Sequence, residues 1–352
     1  MSWHVVVGDY PPGFTGGVAS WTERVCGELS ARGLELVLHA RGSRGLGRMA
    51  EARHDEAQPF ELARIRVHRW NLNQAQAVTA AVAPVLRPGD RVLATTWPLA
   101  PGLVDPCRHF GIPLLVVAHG SEVTRLDWAP AELKALASVA RFGAVSDFLV
   151  QRLSSLGVTA RVLPAPVESQ VDPPGVAARK GLLVVARCTP LKGIERAIGL
   201  AEALGWPLTV VGEGTELAAL RRRGGTAKVA VRFEGRLSWT ETLERYRRAR
   251  LLVQLSRVDD DGGGAEGLGL VVLEAIANGA PAAVSSVGGL PEAVGPGLVL
   301  DVPDDAEASA RAVEAWLGTG DPVAQQRAWL HGTHGVGRCV DALLAMSQDR
   351  ST

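Results

Sequence analysis

Short apolar runs alternate along this chain with longer stretches whose apolar positions recur at helical spacing. "WHVVVG" (3–8) reads as a buried strand ending in glycine. In "GGVASWTERVCGELSARG" (16–33), Val18, Trp21, Val25 and Leu29 share one helical face and Gly33 supplies a stop. Strands follow at "LELVLHA" (34–40), "DRVLATT" (90–96) and "IPLLVVAHG" (112–120), with helices at "ELKALASVARFG" (132–143) and "SDFLVQRLSSLG" (146–157). Strands that are apolar throughout and alternate with helices predict an α/β fold with a parallel sheet covered on both faces.

The rhythm breaks at "PAPVESQVDPPGVAARK" (164–180), which is rich in proline, lacks periodicity and reads as a hinge-like linker. It then restarts. Strands are expected at "GLLVVAR" (181–187), "PLTVVGEG" (207–214), "VRFEG" (231–235), "LLVQLS" (251–256), "APAAVSS" (280–286) and "GLVLDV" (297–302). Helices are expected at "GIERAIGLAEALG" (193–205) and "TELAALRRRG" (215–224). A last amphipathic helix, "GVGRCVDALLAMSQ" (335–348), follows a break at "LHGTHG". The pattern predicts two doubly wound halves, 1–165 and 166–330, and a C-terminal helix in 331–352 with the option of crossing back to the first half. Open sheets of this kind bind ligands at the carboxyl ends of their strands, so the halves are expected to face each other across a cleft.

Composition narrows the function. A chain of 352 residues with 47% hydrophobic content suits two domains with full cores. The 37 basic residues balance 37 acidic ones, which argues against nucleic acid as a partner. Cys26, Cys107, Cys188 and Cys339 are scattered without a CxxC pair, as expected of packed, reduced thiols in a cytoplasmic protein. The start "MSWHVVVGDYPP" does not read as a signal peptide, and no apolar run is long enough to span a membrane.

The candidate chemistry clusters at predicted strand ends. In "EGLGLVVLEA", Glu266 sits in a glycine turn and Glu274 in the helix that follows. Helix-start amides suit phosphate, and carboxylates accept from vicinal hydroxyls; two surface charges at a helix start are the plainer alternative. In "ARCTPLKGIERAI", Arg187 and Lys192 flank a strand-to-helix turn, where they can clamp a diphosphate or simply be solvated. Gly16 and Gly17 let backbone approach an anion before a helix. His119 ends a core strand, as a functional group or as a structural histidine. "VVGEGTEL" is no dinucleotide fingerprint, because Leu217 takes the third glycine's place. Asp259, Asp260 and Asp261 can chelate a divalent cation, but the glycines after them favour a polar loop.

Taken in order, "PPGFTGG", "AHGSE", "GAVSDF", "VLPAPVE", "ARCTPLKG", "VVGEG", "VRFEGRL" and "EGLGLVVLEAIANGAPAAVSSVGGLPEAV" make the chain resemble the retaining glycosyltransferases of family 4, which have the GT-B fold. The last block is the most specific, and the loop "DDDGGGAEGLGLVVLEA" (259–275) looks most like that of mannosyltransferases acting on inositol lipids. The resemblance implies that Glu266 lies by the donor sugar and Glu274 binds the ribose. It implies that Arg187 and Lys192 hold the diphosphate and that His119 lies near the reacting sugar. Gly16 and Gly17 would admit the donor phosphates. Gly235 and Arg236 would touch the base, and Gly267, Leu268, Gly269 and Leu270 would reach sugar or phosphate through backbone. Ala165 departs from the family pattern, and the 41–75 region is short.

The implied activity is transfer of a hexose from a GDP- or UDP-sugar to a small-molecule, natural-product or lipid-linked acceptor, without metal or cofactor. A catalytically silent nucleotide-sugar binder is the competing reading. A phosphorylase-like enzyme is a further one, although no site for a pyridoxal cofactor is evident. Arg41, Arg44 and Arg48 form a patch that can touch anionic lipid at the inner membrane face, or stay solvated.

Overall fold

The computed structural model describes residues 1–349 except 13–15, 43–47, 67–69, 126–129, 171–174 and 259–263. The chain divides into two units, 1–166 with 335–352, and 167–334.

The first unit holds strands β1 (Trp3–Val7), β2 (Leu36–Arg41), β3 (Glu61–Ile65), β4 (Arg91–Ala94), β5 (Leu114–Ala118), β6 (Arg141–Ala144) and β7 (Ala160–Val162). They form one sheet in the order β3-β2-β1-β4-β5-β6-β7, and every pairing is parallel. Every residue of β1 and β5 is buried, as a sheet covered on both faces requires. The second unit holds β8 (Lys180–Val185), β9 (Leu208–Val211), β10 (Val231–Gly235), β11 (Ala249–Gln254), β12 (Ala282–Ser285) and β13 (Leu298–Leu300). Their order is β10-β9-β8-β11-β12-β13, again all parallel. Helix Ile194–Leu204 buries Ile194, Ala197, Ile198 and Ala201 against Leu182, Val184, Leu251 and Val253. Each large aliphatic side chain so covered contributes about 2 kcal/mol.

Three strands depart from the sequence expectation. β6 overlaps the end of the segment read as helix 132–143; that helix is Pro130–Ala137. Gly143 is a strand residue where a Cβ would lie 2.6 Å from the Leu163 side chain. β3 and β7 are only partly buried edge strands, so their sequences lack the apolar signal of the central ones.

The second unit ends at His334, and the chain rejoins the first at Gly335, whose amide donates to Ala165 O at 3.0 Å. Helix Val336–Gln348 buries Cys339, Val340, Leu343 and Met346 there. Its two ends are held by arginines. Arg32 reaches Asp341 at 2.5 Å and Gly337 O at 3.0 Å, and Arg141 donates to Met346 O at 2.9 Å.

Polar groups also sit within this sheet. His4 on β1 contacts Asp90 at 3.4 Å, and its Nδ1 lies 3.1 Å from His39 Nε2 on β2. Asp90 fixes His4 Nε2 as the protonated nitrogen, so His4 Nδ1 accepts from His39 and the buried His39 Nδ1 has no partner. Burial pushes His39 down to about 4 and also lowers His4, although Asp90 pulls the other way. Asp90 itself is pushed up by burial, but the Ser2 and Arg87 amides and His4 hold it below the usual carboxylate range.

These histidines are neutral when folded and bind protons more readily when unfolded. Stability is therefore expected to fall as pH drops from about 6.5 towards the folded values. His119 and His334, lowered by burial to about 3 and about 4, act in the same direction. Thermal unfolding followed between pH 7 and 4.5 should show the midpoint decline, and His39→Gln should flatten part of that decline. A His39→Gln midpoint that falls as steeply as wild type would count against this account.

Candidate functional site

The site is built first from the loops after β8 and β11. After β8 the chain passes Arg187, makes the short turn Pro190–Lys192 and enters helix Ile194–Leu204 through Gly193. Gly193 has φ 58°, and a Cβ there would lie 1.9 Å from Leu255 O. Only glycine lets this turn press against the end of β11. The amide of Arg257 then donates to Leu191 O at 2.8 Å, joining the two loops.

That contact brings Lys192 to Glu266. The Lys192 ammonium pairs with Glu266 Oε1, and the two side chains are only 15% and 12% exposed. The same oxygen accepts from Ser256 Oγ at 2.8 Å and faces Gln254 Nε2 at 3.4 Å. Gln254 Nε2 also donates to Ser256 Oγ at 2.9 Å, and Ser285 Oγ donates to Ser256 O at 2.8 Å. A half-buried charge pair costs less when further hydrogen bonds support it, and Ser256 and Gln254 lend that support to Glu266 Oε1.

The segment after Glu266 is held from above by the turn at Gly288 and Gly289. The Gly289 amide donates to Glu266 O at 2.9 Å. A Cβ on Gly288, at φ 59°, would lie 2.2 Å from that oxygen, and one on Gly289 would lie 2.2 Å from Gly267 O. Leu268 is buried. Gly269, at φ 96°, is the N-cap of helix Leu270–Ala277, which has neither a side-chain cap nor an acidic residue in its first turn. Its first amides have no intrahelical acceptor and carry partial positive charge. Glu274 lies within this helix, 7% exposed, and its Oε2 accepts from Tyr246 Oη at 3.3 Å.

Arg187 is exposed, and its guanidinium makes no hydrogen bond or ion pair among the described residues. At the ends of β9 and β10, Arg236 lies 3.7 Å from Glu213, both exposed. The glycines of "VVGEG" serve packing: a Cβ on Gly212 would lie 1.9 Å from Ala186 O, and one on Gly214 would lie 2.4 Å from Cys188 O.

The first unit carries the other candidates. Gly16 is the N-cap of helix Gly17–Ala31, with open space over both Gly16 and Gly17. His119 follows β5, with its ring 5.0 Å from that of Trp21 in an edge contact at 81°. Its Nε2 is buried without a hydrogen-bond partner, and burial pushes its pKa to about 3, so the ring is neutral. Glu122 accepts from the amides of His119 and Gly120, the latter at 3.1 Å.

Lys192, Arg187, Arg236, Glu266, Gly267, Leu268, Gly269, Leu270 and Glu274 thus belong to the second unit, and Gly16, Gly17 and His119 to the first. Sequence reasoning missed Gln254, Ser256, Tyr246 and Glu122. The one available signal was "LLVQLS", where polar residues end a strand that is otherwise apolar. Asp259, Asp260, Asp261 and Arg44 lie outside the described residues. Arg41 faces Asp9 at 3.3 Å, and Arg48 opens helix Arg48–Glu56. Among the described residues, no helix is long and apolar enough to cross a membrane.

Comparison with known proteins places this architecture. Residues 174–327 match the family described as "Glycosyl transferases group 1". Over 365 residues the chain is 28% identical to a glycogen synthase of Mycobacterium tuberculosis, covering 91% of this chain and 86% of that protein. It is 29% identical over 340 residues to a GDP-mannose-dependent alpha-(1-6)-phosphatidylinositol monomannoside mannosyltransferase of Mycolicibacterium smegmatis, covering 87% and 86%. Among solved structures, Anabaena HepE in complex with UDP superposes with a TM-score of 0.74 at 16% identity, covering 98% and 99% of the two chains. A glycosyltransferase of Rickettsia africae gives 0.77 at 15%, covering 100% and 99%. The two parallel-sheet, Rossmann-like units therefore have the GT-B fold of these structures. The stretch that matches the group 1 glycosyl transferases contains Arg187, Lys192, Glu266 and Glu274.

The glycine turn yields a direct test. Gly288→Ala should destabilise the protein by more than about 2 kcal/mol, because its Cβ collides with backbone at a left-handed position. Urea unfolding would measure this, and a loss below about 0.5 kcal/mol would show that the turn relaxes freely.

Proposed function

We propose that this protein transfers a hexose, with retention of configuration, from a GDP- or UDP-sugar to a hydroxyl of a small-molecule, natural-product or lipid-linked acceptor. The observation that carries the reading is the Lys192–Glu266 pair beside the uncapped start of helix Leu270–Ala277. A cation, a carboxylate and free amides at one strand edge suit a sugar diphosphate. Lys192 and the exposed Arg187 take the phosphates, and Glu266 accepts from sugar hydroxyls. Glu274, held by Tyr246, accepts from the ribose. The names of the relatives, GDP-mannose-dependent mannosyltransferases and glycogen synthase, and a neighbour's complex with UDP support a nucleotide-sugar donor.

In this reading the C–O bond between sugar and diphosphate breaks first, and the charge growing on the leaving phosphate is met by Lys192, Arg187 and the helix amides. The acceptor oxygen adds to the same face of the oxocarbenium-like sugar. Its proton passes to a phosphate oxygen of the leaving group. No metal is required, since the cationic side chains and amides neutralise the diphosphate.

A thermal-shift panel of UDP, GDP, ADP and TDP, with and without EDTA, tests the donor site. One diphosphate should stabilise the protein by about 2.7 kcal/mol at a hundredfold excess over its Kd, independent of EDTA. Lys192→Ala should weaken that nucleotide roughly tenfold or more, the loss of a charge-assisted contact. Turnover of the matching sugar nucleotide, with the product anomer read by NMR, then tests transfer and retention. Stabilisation by none of the four nucleotides would overturn the assignment, and binding without turnover would mark a silent binder.

A further inference from the structure

The cation assigned to the donor's phosphates is already engaged. The Lys192 ammonium pairs with Glu266 Oε1, and both side chains are largely out of water. Glu266 does not depend on Lys192 for its place. Ser256 Oγ donates to the same Oε1 at 2.8 Å, and Gln254 Nε2 lies 3.4 Å from it. Ser256 is itself fixed. It is buried, its Oγ accepts from Gln254 Nε2 at 2.9 Å, and its carbonyl accepts from Ser285 Oγ at 2.8 Å. The Gly289 amide holds the Glu266 backbone through its carbonyl. All of these groups lie in the second unit. When the ammonium turns away, the carboxylate therefore stays, and its charge with it.

A bare diphosphate entering such a site has to take Lys192 from Glu266 and then lie beside a carboxylate that has lost its counter-ion. Two anions at one ammonium repel strongly where water is scarce. A sugar diphosphate also brings hydroxyls, which donate to the carboxylate that its phosphate has uncovered. We propose that the Lys192–Glu266 pair is a latch that sets the donor site against free nucleoside diphosphate and in favour of the sugar nucleotide, with Ser256 as the positioning residue that keeps Glu266 in place while the latch is open. This rests on the reading of Lys192 as a phosphate contact and Glu266 as a sugar contact. The latch also gives the product a way out. Once the sugar has been transferred, Glu266 has lost its hydroxyl donors and competes for Lys192 again, so the latch closes against the spent diphosphate.

The test measures binding of UDP, GDP, UDP-glucose and GDP-mannose by calorimetry to wild type, Lys192→Ala, Glu266→Gln and Ser256→Ala. Glu266→Gln frees Lys192 and removes the repulsion. The diphosphate that wild type binds should then bind roughly tenfold tighter, and its sugar conjugate tighter by less than about threefold. Ser256→Ala should leave the diphosphate within about threefold of wild type and weaken the sugar conjugate roughly fivefold or more; a merely structural loss would weaken both alike. Diphosphate affinity unchanged or reduced in Glu266→Gln, with Lys192→Ala weaker than wild type, overturns the latch and leaves the donor site standing. Equal tightening of diphosphate and sugar conjugate also overturns it, since Glu266 then does nothing for the sugar. If Glu266→Gln does not fold, Ser256→Ala decides: a selective loss of sugar-conjugate affinity supports the proposal, and no loss or an equal loss of both overturns it. A wild type that binds neither diphosphate, or binds it no better than Lys192→Ala, removes the donor-site reading on which the latch stands.

Discussion

All strands of each sheet point the same way, and that single constraint organises the chemistry. Every loop that follows a strand leaves from the same edge. Where the strand order reverses, between β1 and β4 in one unit and between β8 and β11 in the other, neighbouring loops diverge and leave room for a ligand. Lys192 follows β8 and Glu266 follows β11, so the ion pair bridges the reversal of the second sheet. The glycines follow from the same constraint. Gly193 must pass Leu255 O and Gly288 must pass Glu266 O, because loops from adjacent strands are crowded onto one edge.

The Lys192–Glu266 pair is poorly explained as a device for stability. Taking two charges largely out of water costs several kcal/mol per ion, and hydrophobic replacement of such pairs is often neutral or better. Here a further cost is accepted, since Gln254 and Ser256 place polar side chains at the end of a buried strand to serve Glu266. Such an outlay on one carboxylate oxygen makes sense where the pair must open to a ligand that can replace both partners. A diphosphate would take the ammonium and a sugar would take the carboxylate.

How much of this was legible depended on burial. Central strands such as β1, β5 and β11 are apolar through most of their length and stand out from sequence alone. β3 and β7, exposed on an edge, do not. β6 was hidden because it follows the helix-spaced stretch from 132 without a turn signal, and Gly143, which makes room for Leu163, adds no strand signal of its own. The site showed the same division. Glu266, Glu274, Lys192, Arg187 and His119 could be picked out because charged or titratable residues at strand ends are conspicuous. Tyr246 could not, since its link to Glu274 spans 28 residues and a tyrosine in a helix is ordinary core material. Glu122 was overlooked because an acidic residue in a first helical turn has a sufficient local explanation, whereas its bonds to the amides two and three residues before it depend on how the turn folds back.

The environment of His119 bears on how the proposed reaction handles its proton. A histidine acting as general base works best with a pKa near the operating pH. His119 is instead driven to about 3 by burial, with no carboxylate on its ring to restore basicity. A neutral ring of such low basicity is a poor acceptor for a hydroxyl's proton, and in the proposed reaction it would place no positive charge near a sugar becoming cationic. Both properties suit a reaction in which the leaving phosphate, gaining negative charge as the bond breaks, takes the proton itself. In the proposed reaction Lys192 and Arg187 would hold the donor's phosphates and Glu266 the sugar, and no proton would need to pass through His119.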